Sequence, residues 1–91
     1  MLTEQRHKHT KNDILFILLS VANDNSTEGV IISRLQLCNK YTTRQQLVRY
    51  VDELVNKGLY SFDELTRRYK ITRRGLYYLR SYAVTRMNIF E

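Results

Sequence analysis

Residues 42–59 read Thr42-Thr43-Arg44-Gln45-Gln46-Leu47-Val48-Arg49-Tyr50-Val51-Asp52-Glu53-Leu54-Val55-Asn56-Lys57-Gly58-Leu59, and after a charged turn comes Tyr69-Lys70-Ile71-Thr72-Arg73-Arg74-Gly75. Leu47, Val51 and Leu54 recur at helical spacing, flanked by Tyr50 and Val55. That spacing predicts a helix over Arg44–Lys57 with one apolar face. Thr42 is the expected N-cap, because its hydroxyl can accept from the orphan backbone donors one turn on. Gly58 sits where a left-handed C-terminal cap belongs. Leu59–Phe62 then suits a strand, Asp63–Arg68 a charged turn, and Tyr69-Lys70-Ile71 a returning strand with Tyr69 and Ile71 on one face. Thr72 is placed to cap a last helix, Arg73 to Phe90.

Working back toward the N-terminus, Ser33–Asn39 reads as a short helix with Ile32, Leu35 and Cys38 inward. A tight link joins it to the Thr-capped helix, which is the pattern of a helix-turn-helix. Val30, Ile31 and Ile32 either start a short strand or lead straight into that helix. Asn23–Gly29 is the longest polar stretch and is read as a loop. Asp13–Ala22 is expected to be helical, with Ile14, Leu15, Leu18, Val21 and Ala22 on its buried face and Thr10 or Asn12 as its cap. The expected organisation is a basic arm or leading turn (1–12), a compact unit (13–72) and a C-terminal helix (73–91). The expected fold class is α+β and mostly helical.

At 91 residues one domain is expected, with little area to spare for a deep catalytic cleft. Lys and Arg number 15 against 9 Asp and Glu, a net charge of +6. A small domain this basic suggests a polyanionic partner. The single cysteine, Cys38, makes no internal disulfide and is too few for a zinc cluster. The expectation is therefore an intracellular chain. The apolar run Ile14–Leu19 is far short of the roughly 18 residues that span a bilayer, so no membrane partner is expected. No glycine-rich phosphate motif is present among the 3 glycines.

The residues Asp13-Ile14-Leu15, Leu47-x-x-Tyr50-Val51-x-x-Leu54, Lys57-Gly58-Leu59 and Tyr69-x-Ile71-Thr72-x-x-Gly75-x-x-x-Leu79 together resemble the winged helix-turn-helix. The chain is most similar to archaeal predicted transcriptional regulators and small archaeal chromatin-type winged-helix dimers, over nearly everything after Asn12. It departs from them in Arg74 before Gly75 and in the acidic pair Asp63-Glu64 in the wing. The resemblance implies a dimeric double-stranded DNA binder, a transcriptional regulator in the cytoplasm associated with the nucleoid. Helix 43–57 would then read the major groove, and the wing 62–69 would touch the backbone or minor groove.

The chemistry of the candidate surface agrees with that expectation. With Leu47 at the centre of the buried face, the opposite face carries Gln45, Arg49, Asp52 and Asn56, with Gln46 and Glu53 beside them. The first two turns hold Thr43, Arg44, Gln45, Gln46 and Arg49 and no acid. Major-groove helices enter by their N-terminal end, where Arg can bond guanine and Gln adenine. Arg67, Arg68 and Lys70 extend the candidate contact set onto the wing. From Leu65 to Phe90 there is no acid at all.

The last helix carries two apolar stripes. Leu76, Leu79, Ala83, Met87 and Phe90 form one, and Tyr78, Tyr82, Thr85 and Ile89 the other. One stripe is expected to pack on the domain and the second, Tyr78, Tyr82, Thr85 and Ile89, on another copy, giving an antiparallel homodimer. Its two reading helices would then meet half-sites about 10 base pairs, or a multiple, apart.

Two other classes compete with DNA binding. One is a winged-helix protein-interaction module with no direct DNA contact. The other is a single-strand binder that stacks bases on the 7 tyrosines, most of which fall at core or dimer positions. His7 and His9 have no third ligand nearby, so no metal is expected. No nucleophile–base arrangement stands out, so no enzyme, cofactor or small-molecule substrate is expected.

Overall fold

A computed structural model of the chain describes residues 11–39 and 42–89, with side chains through Tyr82. The arm up to Thr10, the histidines in it and Phe90 lie outside the described residues, as do the side chains of Ala83, Thr85, Met87 and Ile89. The chain is α+β and mostly helical. Its order is α1 (Lys11–Asp24), α2 (Ile32–Cys38), α3 (Arg44–Asn56), β1 (Tyr60–Asp63), β2 (Arg68–Ile71) and α4 (Arg73–Ile89).

α1 is the hub. It packs on α2, α3, β2 and α4 and buries Leu15, Leu18, Leu19 and Ala22. It begins at Lys11, so Asn12 lies within its first turn and does not cap it. Ile14 and Val21, expected on the buried face, are half-buried at its edges, and Leu19 takes a central place instead.

Val30 exchanges both backbone hydrogen bonds with Tyr69, each 2.8 Å. The segment therefore makes one rung of sheet before Ile32 opens α2. α2 turns Leu35 into the core. Cys38, expected inward, is exposed. The inward place at the end of α2 goes to Asn39, which is buried and donates from Nδ2 to the Leu35 carbonyl at 3.1 Å.

The cap of α3 is Thr43, not Thr42. Thr43 Oγ1 accepts from the Gln46 amide at 3.1 Å, and Gln46 Oε1 accepts from the Thr43 amide at 3.2 Å. This reciprocal pair satisfies two donors that the helix start leaves unpaired. Thr42 is consumed by the preceding turn. It is buried, its N–H donates to the Asn39 carbonyl at 3.1 Å, and its own carbonyl accepts from Gln36 Nε2 at 2.8 Å.

α3 ends as its glycine predicts. Gly58 has φ +77°, its N–H bonds the Val55 carbonyl at 3.0 Å, and the Leu59 N–H reaches back to Leu54 at 2.9 Å. These are the two bonds of a Schellman cap. Because Leu59 is spent on this cap, and its carbonyl accepts from Thr72 N–H at 3.0 Å, strand pairing starts one residue later than expected, at Tyr60.

β1 and β2 are antiparallel, with Tyr60 opposite Ile71 and Phe62 opposite Tyr69. Tyr69 and Ile71 share a face, as the alternation predicts. The Tyr60 hydroxyl, carried into the core, donates to the Leu18 carbonyl of α1 at 2.5 Å. Burial pushes that hydroxyl far above its ordinary range.

Thr72 caps α4, accepting from the Gly75 amide at 2.9 Å. The same hydroxyl donates to the Gly58 carbonyl at 2.6 Å. One side chain therefore ties the end of α3 to the start of α4.

Candidate nucleic-acid interface

The exposed side of α3 is built by its own periodicity. Leu47, Val51 and Leu54 are fully buried. Arg44, Gln45, Gln46, Val48, Arg49 and Asp52 are left in solvent. Of the candidate readers, Arg44, Gln45 and Arg49 are exposed side chains that the cap does not use. Thr43 and Gln46 are exposed too, but both are engaged in the reciprocal cap. The Gln46 amide oxygen is taken, while its NH2 group remains a donor.

The acids of α3 lie differently from the helical-wheel expectation. Glu53 does not flank the exposed face. It is turned toward α1, where Oε2 meets Lys11 Nζ at 2.8 Å and Lys57 Nζ at 2.9 Å. Hydrogen bonds from Lys11 and then Lys57 hold its carboxyl below the usual range. Asp52 is exposed and lies close enough to Tyr69 to help raise that hydroxyl's pKa, although burial is the larger cause. The first two turns of α3 thus present two arginines and two glutamines, with one carboxylate of the helix neutralised on another face.

The hairpin tip is residues 64–67. Asp63 Oδ1 accepts from the Leu65 amide at 2.9 Å, and the Arg67 amide donates to the Asp63 carbonyl at 2.7 Å. The acidic residue Asp63 is thereby committed to shaping the turn. Arg67 is exposed in the left-handed region, at φ 59°. Lys70 is exposed on the strand. Arg68 is half-buried and donates from Nη1 to the Gly29 carbonyl at 3.3 Å. It is held against the α1–α2 loop instead of projecting from the tip with Arg67.

That loop side holds something the sequence reading missed. Arg34 and Arg68 both line a hollow of about 250 Å³, together with Asn25, Glu28 and Ile31. Arg34 and Arg68 lie far apart in the sequence, and the Val30–Tyr69 rung, with the Arg68–Gly29 hydrogen bond, brings their segments together.

Two of the four predicted dimer-contact residues are engaged within the chain. The Tyr82 hydroxyl donates to Asp13 Oδ1 at 2.9 Å, and its ring lies 5.1 Å from that of Phe16. Tyr78 is half-buried against the same core as Leu76 and Leu79. Both side chains are half-buried in the single chain. α1 receives Tyr82 through Asp13 and Phe16, while Leu79 is buried in the core and Leu76 and Tyr78 pack against it. The side chains of Thr85 and Ile89 lie outside the described residues.

No group of three His, Cys, Asp or Glu that could hold a metal occurs among the described residues. No helix among them is long and apolar enough to cross a membrane. Comparison of the chain with family models, with curated proteins and with solved structures finds no match.

Proposed function

We propose that the chain is a winged helix-turn-helix protein that binds double-stranded DNA. In this reading α3 enters the major groove by its N-terminal turns, and the hairpin tip meets the adjacent backbone. The observation that carries it is the exposed, acid-free start of α3, bearing Arg44, Gln45 and Arg49, while Glu53 is turned away and neutralised by Lys11 and Lys57. Arginine and glutamine are the side chains that pair with guanine and adenine edges, and a groove-facing carboxylate would repel phosphate. The order helix, single rung at Val30, helix, helix, hairpin supports the winged reading. Regulation of transcription is the role such a reader would serve.

The test is fluorescence anisotropy of a random-sequence duplex at two salt concentrations, with the unmodified chain and with Arg44→Ala/Arg49→Ala. Binding that weakens steeply with salt and falls in the variant supports the reading. Equal affinity in both proteins overturns it.

A homodimer through Tyr78, Tyr82, Thr85 and Ile89 belongs to the same reading; of these, Tyr82 bonds Asp13 within the chain and Tyr78 packs on the core, both half-buried. Sedimentation tests it: a single species at the chain mass of 10.9 kDa at tens of micromolar removes the dimer and the half-site spacing with it. A protein partner in place of DNA is favoured by a different observation, the exposure of Leu37 on α2 (72%) and Val48 on α3 (40%). Salt-insensitive or absent duplex binding would turn the assignment to that partner.

A further inference from the structure

The outer side of α4 carries a second basic surface. Arg73, Tyr77 and Arg80 follow each other at i, i+4 and i+7, so they lie on one face, and all three are exposed. Tyr77 is 74% exposed, although its neighbours Tyr78 and Leu79 are packed inward. The ion pairs among the described residues join Lys11, Glu53 and Lys57, so neither arginine of this face is in one. There is no carboxylate on α4 to offset them.

This face is carried on different supports from the one on α3. α3 packs on α1, α2 and β1, whereas α4 packs on α1 and β2. Among these supports the two helices share α1.

We propose that the Arg73–Tyr77–Arg80 face binds the phosphate backbone of a second duplex, so that one copy of the chain bridges two DNA segments. The proposal goes beyond the reading of α3 and rests on it for the first duplex. Seven residues of helix span about 10.5 Å, and one DNA strand places a phosphate about every 3.4 Å along the duplex axis. Because the phosphates also wind around that axis, successive ones stand farther apart in space than the rise, and the two guanidinium groups can address neighbouring phosphates of one strand, with the Tyr77 hydroxyl donating between them. Charge decides the occupant. Besides the three residues, the exposed described positions of α4 are Arg74 and Ser81. Among the described residues Tyr77 is thus the one large apolar group on this side, too little for insertion into a bilayer.

The experiment immobilises one duplex, adds the chain, and measures capture of a second, fluorescent duplex. Single-duplex affinity is measured in parallel by anisotropy. Three proteins are compared: unmodified, Arg73→Gln/Tyr77→Ala/Arg80→Gln, and Arg44→Ala/Arg49→Ala. All the altered residues are exposed, and thermal melts confirm that each protein folds.

The expected result is capture by the unmodified chain. The α4 variant should lose about tenfold in capture, as two phosphate contacts disappear, while single-duplex affinity changes by less than about threefold. The α3 variant should lose single-duplex affinity. Full capture by the α4 variant overturns the proposal, whether bridging then comes from a dimer with two α3 faces or from elsewhere. No capture by the unmodified chain overturns it as well. Binding to anionic phospholipid vesicles that needs Arg73, Tyr77 and Arg80, without second-duplex capture, overturns it in favour of a lipid surface. Failure of the α3 reading shows separately, as unchanged single-duplex affinity in the α3 variant.

Discussion

A side chain at Gly75 would collide with the backbone of Leu59: a Cβ built there stands 2.2 Å from the Leu59 carbonyl oxygen and 2.8 Å from Ile71 Cγ1. The first turn of α4 is pressed onto the joint where α3 ends and the hairpin begins. The close approach lets Thr72 bridge Gly58 and Gly75 with one hydroxyl.

Gly75→Ala should therefore destabilise the chain, although alanine is the better helix former. The clash is with backbone that also closes the Schellman cap, so relief requires moving α4. Overpacking of this kind costs about 1–3 kcal/mol, and in a domain this small each kcal/mol lowers Tm by about 4–8 °C. Thermal melting of Gly75→Ala against Gly58→Ala compares the two glycines. An unchanged melting temperature in Gly75→Ala would refute the close approach.

Tyr60→Phe isolates the buried hydroxyl. Loss of its bond to the Leu18 carbonyl should cost about 1 kcal/mol, since that carbonyl sits in a helix and has its own ladder donor. The same hydroxyl makes stability depend on alkaline pH. Its pKa is raised in the fold from an ordinary value of 10.0, burial being the main cause. The neutral form is favoured in the folded chain, so this contribution is complete below about pH 10 and declines as pH rises beyond it. Tyr69, also raised by burial, acts in the same direction. Urea midpoints at neutral pH and above pH 10 should fall for the unmodified chain and fall less for Tyr60→Phe. Equal declines would remove Tyr60 from the titration.

The reciprocal cap predicts that Thr43→Ala lowers stability by about 0.5–2 kcal/mol. Gln46→Ala should do so by less, because it removes one partner and leaves the Thr43 hydroxyl bond intact. A loss of DNA affinity in Gln46→Ala must then be read against its melting curve. Gln45→Ala, outside the cap, should leave the melting curve unchanged. If denaturant midpoints show Gln45→Ala costing as much as Thr43→Ala, the cap assignment is wrong.

Arg49→Ala is expected to weaken duplex binding by about 1–3 kcal/mol without loss of stability. Arg67 offers a cleaner separation of charge from fold. Its backbone is left-handed at φ 59°, a conformation that costs a non-glycine residue about 1–2 kcal/mol. Arg67→Gly should therefore hold or raise the melting temperature. Where the tip touches a phosphate, it should also reduce the slope of log affinity against log salt by about 0.9. An unaltered slope in Arg67→Gly would exclude the tip from the interface.

The exposed start of α3, the Gly58 cap, the Thr72 cap and the facing pair Tyr69 and Ile71 were all legible in the sequence. Each depends on a local period or a single backbone requirement: leucine and valine at helical spacing, a glycine where φ must be positive, a hydroxyl one residue before a helix. Such signals act within a turn or two of chain, where steric exclusion and hydrogen-bond geometry leave few solutions. What spans many residues was decided by tertiary structure. Glu53 left the exposed side because Lys11, 42 positions earlier in the chain, stands across from it. Thr42 yielded the cap to Thr43 because Asn39 and Gln36 claimed its backbone for the turn. Tyr82 turned inward because α1 supplies Phe16 and Asp13 to receive it, and the wheel of α4 alone contains no record of α1. A helix's own periodicity sets which residues share a face. Which neighbour covers that face depends on burying the most apolar area with every polar group partnered, and only the assembled chain meets that condition.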